Sequence, residues 1–358
     1  MDQKPQFIFC SCQFGAQTAL KQEILAQWPE FKFAFSRPGF VTFKVPETFP
    51  VKSLPTLDLK STFARASGIC LGSIKEPDED KRFVAVVELI NQASLEGLQH
   101  LHLWSRDRQV PGDRGFEPGR QTETDALAQQ LADSLSRSNL QINKIARPDE
   151  RILDVILVDE DQWWVGWHQA SKPATRWPGG IYSIQTPEHI VSRAYLKMEE
   201  AIRWSRLPMK AGDVVAEIGS SPGGSCQSLL ARDFQVIGID PAQMHETLLA
   251  HPNFTHVRKK AADMRRAEFA SVKWLMSDSN VAPNYTLDSV EDIVKNERTN
   301  IRGMLLTLKM IKWELAGELP AYLDRIRSWG YRYVRSRQLA FNRQEVCVAV
   351  LKSRGKRR

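Results

Sequence analysis

No apolar run in these 358 residues is long enough to span a bilayer, which takes about 20 consecutive apolar residues. The opening residues, MDQKPQFIFCSCQ, lack the charged-then-long-apolar pattern of a secretory signal. A cytoplasmic protein away from membranes is the expectation. Cysteine is sparse: Cys10, Cys12, Cys70, Cys226 and Cys347 are odd in number and widely spread. That excludes a disulfide framework and offers no zinc-type pairing, so reduced structural thiols are expected. No cluster of His, Cys and carboxylates suggests a metal, and none is expected. Internal repeats and low-complexity segments are also absent, which excludes solenoids and arrays. Two nucleotide fingerprints are missing too. There is no G-x-G-x-x-G, and the one glycine-rich loop lacks the Lys-Ser/Thr of a phosphate-binding loop.

What is present bounds the answer further. Apolar residues make up 42% of the chain, enough for real cores, and the length suits two or three domains. The formal net charge is +7, which fits a polyanionic partner. Much of the excess is local, in KSRGKRR at 352–358 and in YRYVRSR at 331–337, where arginines alternate with tyrosines. Arginine and aromatic faces can stack on unpaired bases. A solvated strand edge and a frayed tail are the plainer readings of these two stretches.

Residues 213–240, DVVAEIGSSPGGSCQSLLARDFQVIGID, organise the second half. Val214, Val215, Ala216 and Ile218 read as a buried strand. The loop 219–224 follows, then a helix over 225–232 and a second buried strand ending on Asp240. This is a strand–loop–helix–strand unit of the nucleotide-binding kind, with glycines that let the backbone approach a ligand. Asp240 is placed to accept hydrogen bonds from a ribose diol. The spacing is E-x-G-x-x-P-G-G with Glu217 ahead of the loop. The missing phosphate lysine suggests a nucleoside without a pyrophosphate.

Along the chain, strands are expected at 7–12, 31–36 and 40–45, with a helix at 16–27: a small α+β unit over 1–75. Residues 46–59 read as irregular, and 63–74 as a helix turning into a strand. An acidic loop at 76–80 precedes 83–100, a helix or two short elements. A strand at 101–104 and an arginine-bearing loop at 106–120 lead to a helix at 124–138. A hairpin pairs 152–157 with 163–168. Residues 76–170 thus form a second α+β unit. The segment 171–186, rich in proline and glycine, reads as a linker, and its Lys172, Arg176, Trp177 and Tyr182 could lie against RNA. From 187 to 358 an α/β domain is expected. It opens with a helix over 189–205, with Ile190, Ala194, Lys197 and Ala201 on one stripe. Further buried strands are expected at 274–276, 304–308 and 343–351, the last in an antiparallel hairpin with 331–339. Asp240, Asp278 and Lys309 each follow a strand end and should converge.

The loop resembles the S-adenosylmethionine loop of Rossmann-like class I methyltransferases, and most closely the P-G-G form of the FtsJ-type ribose 2′-O-methyltransferases. Lys197, Asp278, Lys309 and Glu345 resemble, in chain order, the Lys-Asp-Lys-Glu tetrad of that family. The contexts SRAYLK (192–197) and SD…APN (277–284) match as well. The resemblance implies Lys309 as the base for a ribose 2′-hydroxyl. Lys197 would lower its pKa and hold the ribose, while Asp278 and Glu345 orient the two lysines. It also implies S-adenosylmethionine contacts from Ser192, Gly219, Ser221, Pro222, Gly223, Gly224, Asp240, Asp263 and Asp278.

The order of parts resembles the RlmM-type enzymes, which methylate a cytidine ribose in large-subunit ribosomal RNA. In that likeness the first unit is ferredoxin-like, the second THUMP-like and RNA-binding, and the third catalytic. The implied partner is large-subunit rRNA or its assembly precursor, and a monomer is expected. Two rival readings remain. A base methyltransferase would need an N/D-P-P-Y/F segment where SDSNVAPN stands. An inactive RNA-binding or assembly factor could have kept the fold.

Overall fold

The computed structural model describes residues 6–119, 123–135 and 139–353. The chain divides into two units, Met1–Ser183 and Ile184–Arg358. Strand-forming stretches of the first unit become β1 (Gln6–Ser11), β2 (Lys32–Arg37), β3 (Phe40–Val45), β4 (Ser67–Lys75), β5 (Leu98–Ser105), β6 (Gln141–Ile142), β7 (Arg151–Asp159) and β8 (Gln162–Gln169). Its helices are α1 (Gln17–Gln27), α2 (Glu79–Gln92) and α3 (Glu123–Ser134). The strands join one sheet in the order β2-β3-β1-β4-β8-β7-β5-β6. The two α+β halves expected on either side of residue 75 therefore share a sheet, joined where β4 pairs antiparallel with β8. Val86 and Ile90 of α2 and Ala128 and Leu131 of α3 cover its β5–β7–β8 part.

Two local expectations change here. The acidic stretch 76–80 is not all loop: Asp78 accepts from the Lys81 N–H and caps α2, the usual work of an aspartate at a helix start. The start of the expected linker is folded onto its own unit. His168 Nε2 lies 2.7 Å from the Thr175 carbonyl, and Arg176 Nε donates to the Ala146 carbonyl at 2.5 Å. Lys172 pairs with Asp58, and Tyr182 is buried. Trp177 lies with its ring centroid 5.7 Å from that of Tyr182, so all four residues considered for RNA have contacts within this unit. His168 itself is fixed by Asp154 at 2.5 Å. Burial opposes its charge, but the Asp154 carboxylate outweighs that and holds the imidazole above its ordinary pKa.

The second unit is a doubly wound sheet. Its helices are α4 (Ala194–Ser205), α5 (Gly224–Leu230), α6 (Glu246–Leu249), α7 (Pro283–Val294) and α8 (Leu319–Ser328). Its strands are β9 (Val214–Ile218), β10 (Gln235–Ile239), β11 (Phe254–Val257), β12 (Trp274–Ser277), β13 (Gly303–Lys309), β14 (Tyr333–Arg337) and β15 (Glu345–Leu351). The order is β11-β10-β9-β12-β13-β15-β14. Strands from β11 to β13 run parallel, and β15 is antiparallel to both β13 and β14. The winding reverses direction between β9 and β12, so a crevice opens at the carboxyl ends of these strands. The expected Rossmann-like sheet is present, preceded by α+β structure.

The first helix of this unit starts later than its pattern suggests, at Ala194 rather than 189. The Gln227 amide explains this. Its Oε1 accepts from the Val191 N–H at 2.9 Å and its Nε2 donates to the His189 carbonyl at 3.0 Å. Those bonds hold the preceding backbone out of a helix. Two residues of the YRYVRSR stretch are engaged internally: the Arg335 guanidinium lies over Trp204, and the Tyr331 hydroxyl donates to the Ile301 carbonyl. Most of the basic tail expected at 352–358 lies outside the described residues, as do Arg120 and residues 136–138 of the expected α3 stretch. Among the described residues, no helix is long and apolar enough to cross a membrane.

Gly303, at the start of β13, packs closely against β15 and β12. A Cβ there would come within 2.6 Å of the Val350 carbonyl oxygen and 2.7 Å of the Trp274 ring. Trp274 is fully buried and donates to Asp213 at 2.8 Å. Gly303→Ala should therefore destabilise the second unit by about 1–3 kcal/mol through overpacking, measured by chemical denaturation.

Candidate active site

After Ile218 the chain turns through Gly219 and Gly223, at φ +76° and +118°, a region closed to most side chains. Space is equally restrictive. A Cβ on Gly223 would sit 2.0 Å from Leu248 Cδ1, and one on Gly224 would sit 2.2 Å from Ser192 Oγ. Ser192 thus packs directly on the start of α5. Asp240, at the end of β10, faces the same loop. Its two oxygens accept from the Ser221 N–H at 3.2 Å and the Ala242 N–H at 2.8 Å. The Ser221 hydroxyl donates to the Gln243 carbonyl at 2.8 Å, so it braces the loop. Pro222 is exposed at the tip. Asp263 stands apart, exposed in the short turn Ala261–Asp263 beyond β11.

Across the crevice the four charged residues meet. Lys309 and Glu345 are directly opposed in the β13–β15 register, and their side chains form an ion pair. Asp278 follows β12, the parallel neighbour of β13, and its Oδ1 is 3.2 Å from Lys309 Nζ. Lys197 reaches in from α4, with Nζ 2.5 Å from Asp278 Oδ2 and 2.9 Å from Glu345 Oε1. Each carboxylate therefore bridges both ammonium groups. Burial disfavours a charge on Lys197, but the Asp278 and Glu345 carboxylates outweigh it and hold its pKa above the ordinary lysine value. Burial likewise opposes ionisation of Asp278, and the two ammonium charges overcome it and hold the carboxyl below its usual value. Among the described residues, no group of three or more His, Cys, Asp or Glu is placed to hold a metal ion.

Three buried acids outside the expected set support this arrangement. Glu200 accepts from the Ala340 and Phe341 N–H groups at 2.9 and 3.1 Å, fixing the turn that delivers Glu345. Glu199 takes Arg232 and the Ser228 hydroxyl, joining α4 to α5. Glu217 sits within β9, almost wholly buried, and the Cys226 thiol donates to it at 2.8 Å. Burial pushes its carboxyl up to about 8. The sequence carried one signal for this group, an acid inside the apolar run VVAEI. Glu199 and Glu200 left no signal beyond their place on the helix bearing Lys197.

Because the folded Glu217 binds its proton more tightly than the unfolded chain does, the stabilisation is complete below about pH 4.5 and is lost as pH rises toward about 8. Glu217→Gln should flatten the fall in Tm between about pH 5 and pH 8, read from thermal unfolding across a buffer series.

Comparison with known proteins fits this geometry. Residues 190–319 match the family described as FtsJ-like methyltransferase. A protein named Ribosomal RNA large subunit methyltransferase M from Halorhodospira halophila is 29% identical over 182 residues, covering 49% of this chain and 51% of that protein. The chain thus spans about half the length of that relative. A protein of the same name from Alkalilimnicola ehrlichii is 24% identical over 357 residues, covering 95% of this chain and 92% of that protein. Among solved structures, TrmN from Thermus thermophilus aligns over 97% of this chain and 99% of its own, at 14% identity and a TM-score of 0.36. The match to the FtsJ-like methyltransferases thus falls within the second unit.

Proposed function

We propose that this chain is an S-adenosylmethionine-dependent RNA methyltransferase acting on a ribose 2′-hydroxyl, that of a cytidine in large-subunit ribosomal RNA. The observation that carries the reading is the closed set of contacts among Lys197, Asp278, Lys309 and Glu345 beside the glycine loop. The substrate class follows the names of the relatives, and the cytidine follows the likeness to the RlmM-type enzymes.

The loop residues fit the cofactor. Gly219, Gly223 and Gly224 present backbone where a side chain could not stand. Asp240 ends the neighbouring strand with a half-buried carboxylate suited to a ribose diol. Ser192, Ser221 and Pro222 shape the rim, and Asp263 is assigned to the adenine side by resemblance. Bound there, S-adenosylmethionine supplies an electrophilic methyl group on a sulfonium.

The residues of the chain then divide the remaining work. Lys197 lies between two carboxylates that keep it charged, so it serves as the fixed cation that holds the ribose. Lys309 is assigned by the resemblance as the base; in its unprotonated form, with its proton given up to solvent, it would take the 2′-hydroxyl proton as the oxygen attacks the methyl carbon and the carbon–sulfur bond breaks. Asp278 and Glu345 aim both lysines. Alignment of oxygen, carbon and sulfur contributes much of the rate. Residues 187–358 carry out this chemistry, and the units assigned to 1–75 and 76–170, joined to it by 171–186, recognise the RNA.

The test is transfer of labelled methyl to unmodified large-subunit rRNA, with the product nucleoside identified by mass spectrometry. The expected product is 2′-O-methylcytidine, and a base-methylated nucleoside would refute the reading. Lys309→Ala should lower the rate at least about 100-fold, the scale of general-base catalysis. Its S-adenosylmethionine affinity by calorimetry should change little.

A further inference from the structure

Large apolar side chains exposed singly are ordinary on a protein surface. Their grouping around a catalytic opening is less so. Among the described residues the exposed large hydrophobics are Phe33, Val84, Ile145, Leu249, Val281, Tyr285, Ile311 and Tyr333. Three of these eight fall in the two short segments that leave the carboxyl ends of β12 and β13. Val281 is 40% exposed and Tyr285 68%, both following Asp278; Ile311 is 61% exposed and follows Lys309.

Topology keeps these residues at one mouth. The two strands are parallel neighbours, and Asp278 and Lys309 are in contact at 3.2 Å. At the reach of an extended chain, Val281 lies within about 11 Å of Asp278, and Ile311 within about 7 Å of Lys309. Tyr285 is in the first turn of α7. That helix buries Pro283, Thr286, Leu287, Val290 and Ile293, so position 285 faces away from the core. Ile311 is held by a tight turn in which its N–H donates to the Lys309 carbonyl at 3.0 Å. The Met310 N–H donates to the Gln344 carbonyl at 2.9 Å, and the exposed Lys312 and Arg343 lie within two residues of the two ends of that bond. Two exposed aliphatic side chains thus follow the strand ends, the exposed Tyr285 stands four residues after Val281 in the first turn of α7, and exposed cations follow nearby in the chain.

We propose that Tyr285, with Val281 and Ile311, is a stacking platform for an unpaired base next to the target ribose, so that the substrate is single-stranded RNA at the modified position. This rests on the RNA ribose methyltransferase reading. A base has an apolar face that stacks on an aromatic side chain irrespective of its sequence, and the accompanying phosphates suit Lys312 and Arg343. A duplex would keep its base faces stacked on each other and leave this platform unused.

The test uses the full chain and a short single-stranded oligoribonucleotide carrying 2-aminopurine, whose fluorescence is quenched by stacking. Wild type should bind it with quenching and bind the same sequence as a duplex more weakly. Tyr285→Ala should lose about 10-fold in affinity, the scale of one stacked base, together with the quench. Tyr285→Phe should keep both, which a hydrogen-bonding hydroxyl would not allow. Unchanged affinity and quench in Tyr285→Ala would overturn the proposal, as would equal loss in the Phe and Ala variants or tighter binding of the duplex. The readout does not depend on methyl transfer, so a wild type that stacks the probe but methylates no ribose refutes the functional reading and leaves the platform standing.

Discussion

Two ammonium groups held in one small site repel unless carboxylates lie between them. At about 4 Å and an effective dielectric near 20, that repulsion is about 4 kcal/mol. Here Asp278 and Glu345 each contact both Lys197 and Lys309, so the cluster carries no net charge when all four are ionised. Breaking a buried pair by deleting one partner typically costs 3–5 kcal/mol. The rest of the second unit serves to hold these four side chains. The β13–β15 register opposes Lys309 and Glu345, the β12–β13 pairing sets Asp278 beside them, and α4 delivers Lys197.

Glu217 shows how narrow the electrostatic tolerance is. An ionised carboxylate there would add a third negative charge near Asp278. Burial instead raises its pKa to about 8, so at neutral pH it is largely a neutral acid that accepts from the Cys226 thiol. The neutral form preserves the balance of two positive and two negative charges. It also keeps β9 buried on both faces, as a central parallel strand requires. On α4 the buried Glu199 accepts from Arg232 and the Ser228 hydroxyl, and the buried Glu200 from the Ala340 and Phe341 N–H groups.

Much of this was legible because parallel strands leave short, unbroken apolar runs. VVAEI, QVIGI, WLMS and MLLTL each marked a strand, and a charged residue directly after such a run had to be at the crevice or in solvent. That reasoning located Asp240, Asp278 and Lys309. Lys197 was visible as a charge on an apolar helical stripe. What stayed hidden depended on contacts distant in sequence. The helix begins at Ala194 because of Gln227, a residue 33 positions later. Arg176 and Tyr182 looked available for RNA because nothing local reveals Ala146 or the interior that receives the tyrosine ring. The single sheet that unites residues 6–169 depends on the β4–β8 pairing, which no local pattern predicts.

The central claim is that the four charges act as one unit in which Lys309 takes the proton. Single-turnover methyl transfer by Lys309→Met, Glu345→Gln and the double variant measures this directly. If Glu345 works by aiming and balancing Lys309, the double variant should be about as slow as Lys309→Met alone, since residues that act as a unit lose their effect together. Losses that multiply in the double variant would mean the two side chains contribute independently and would contradict the account.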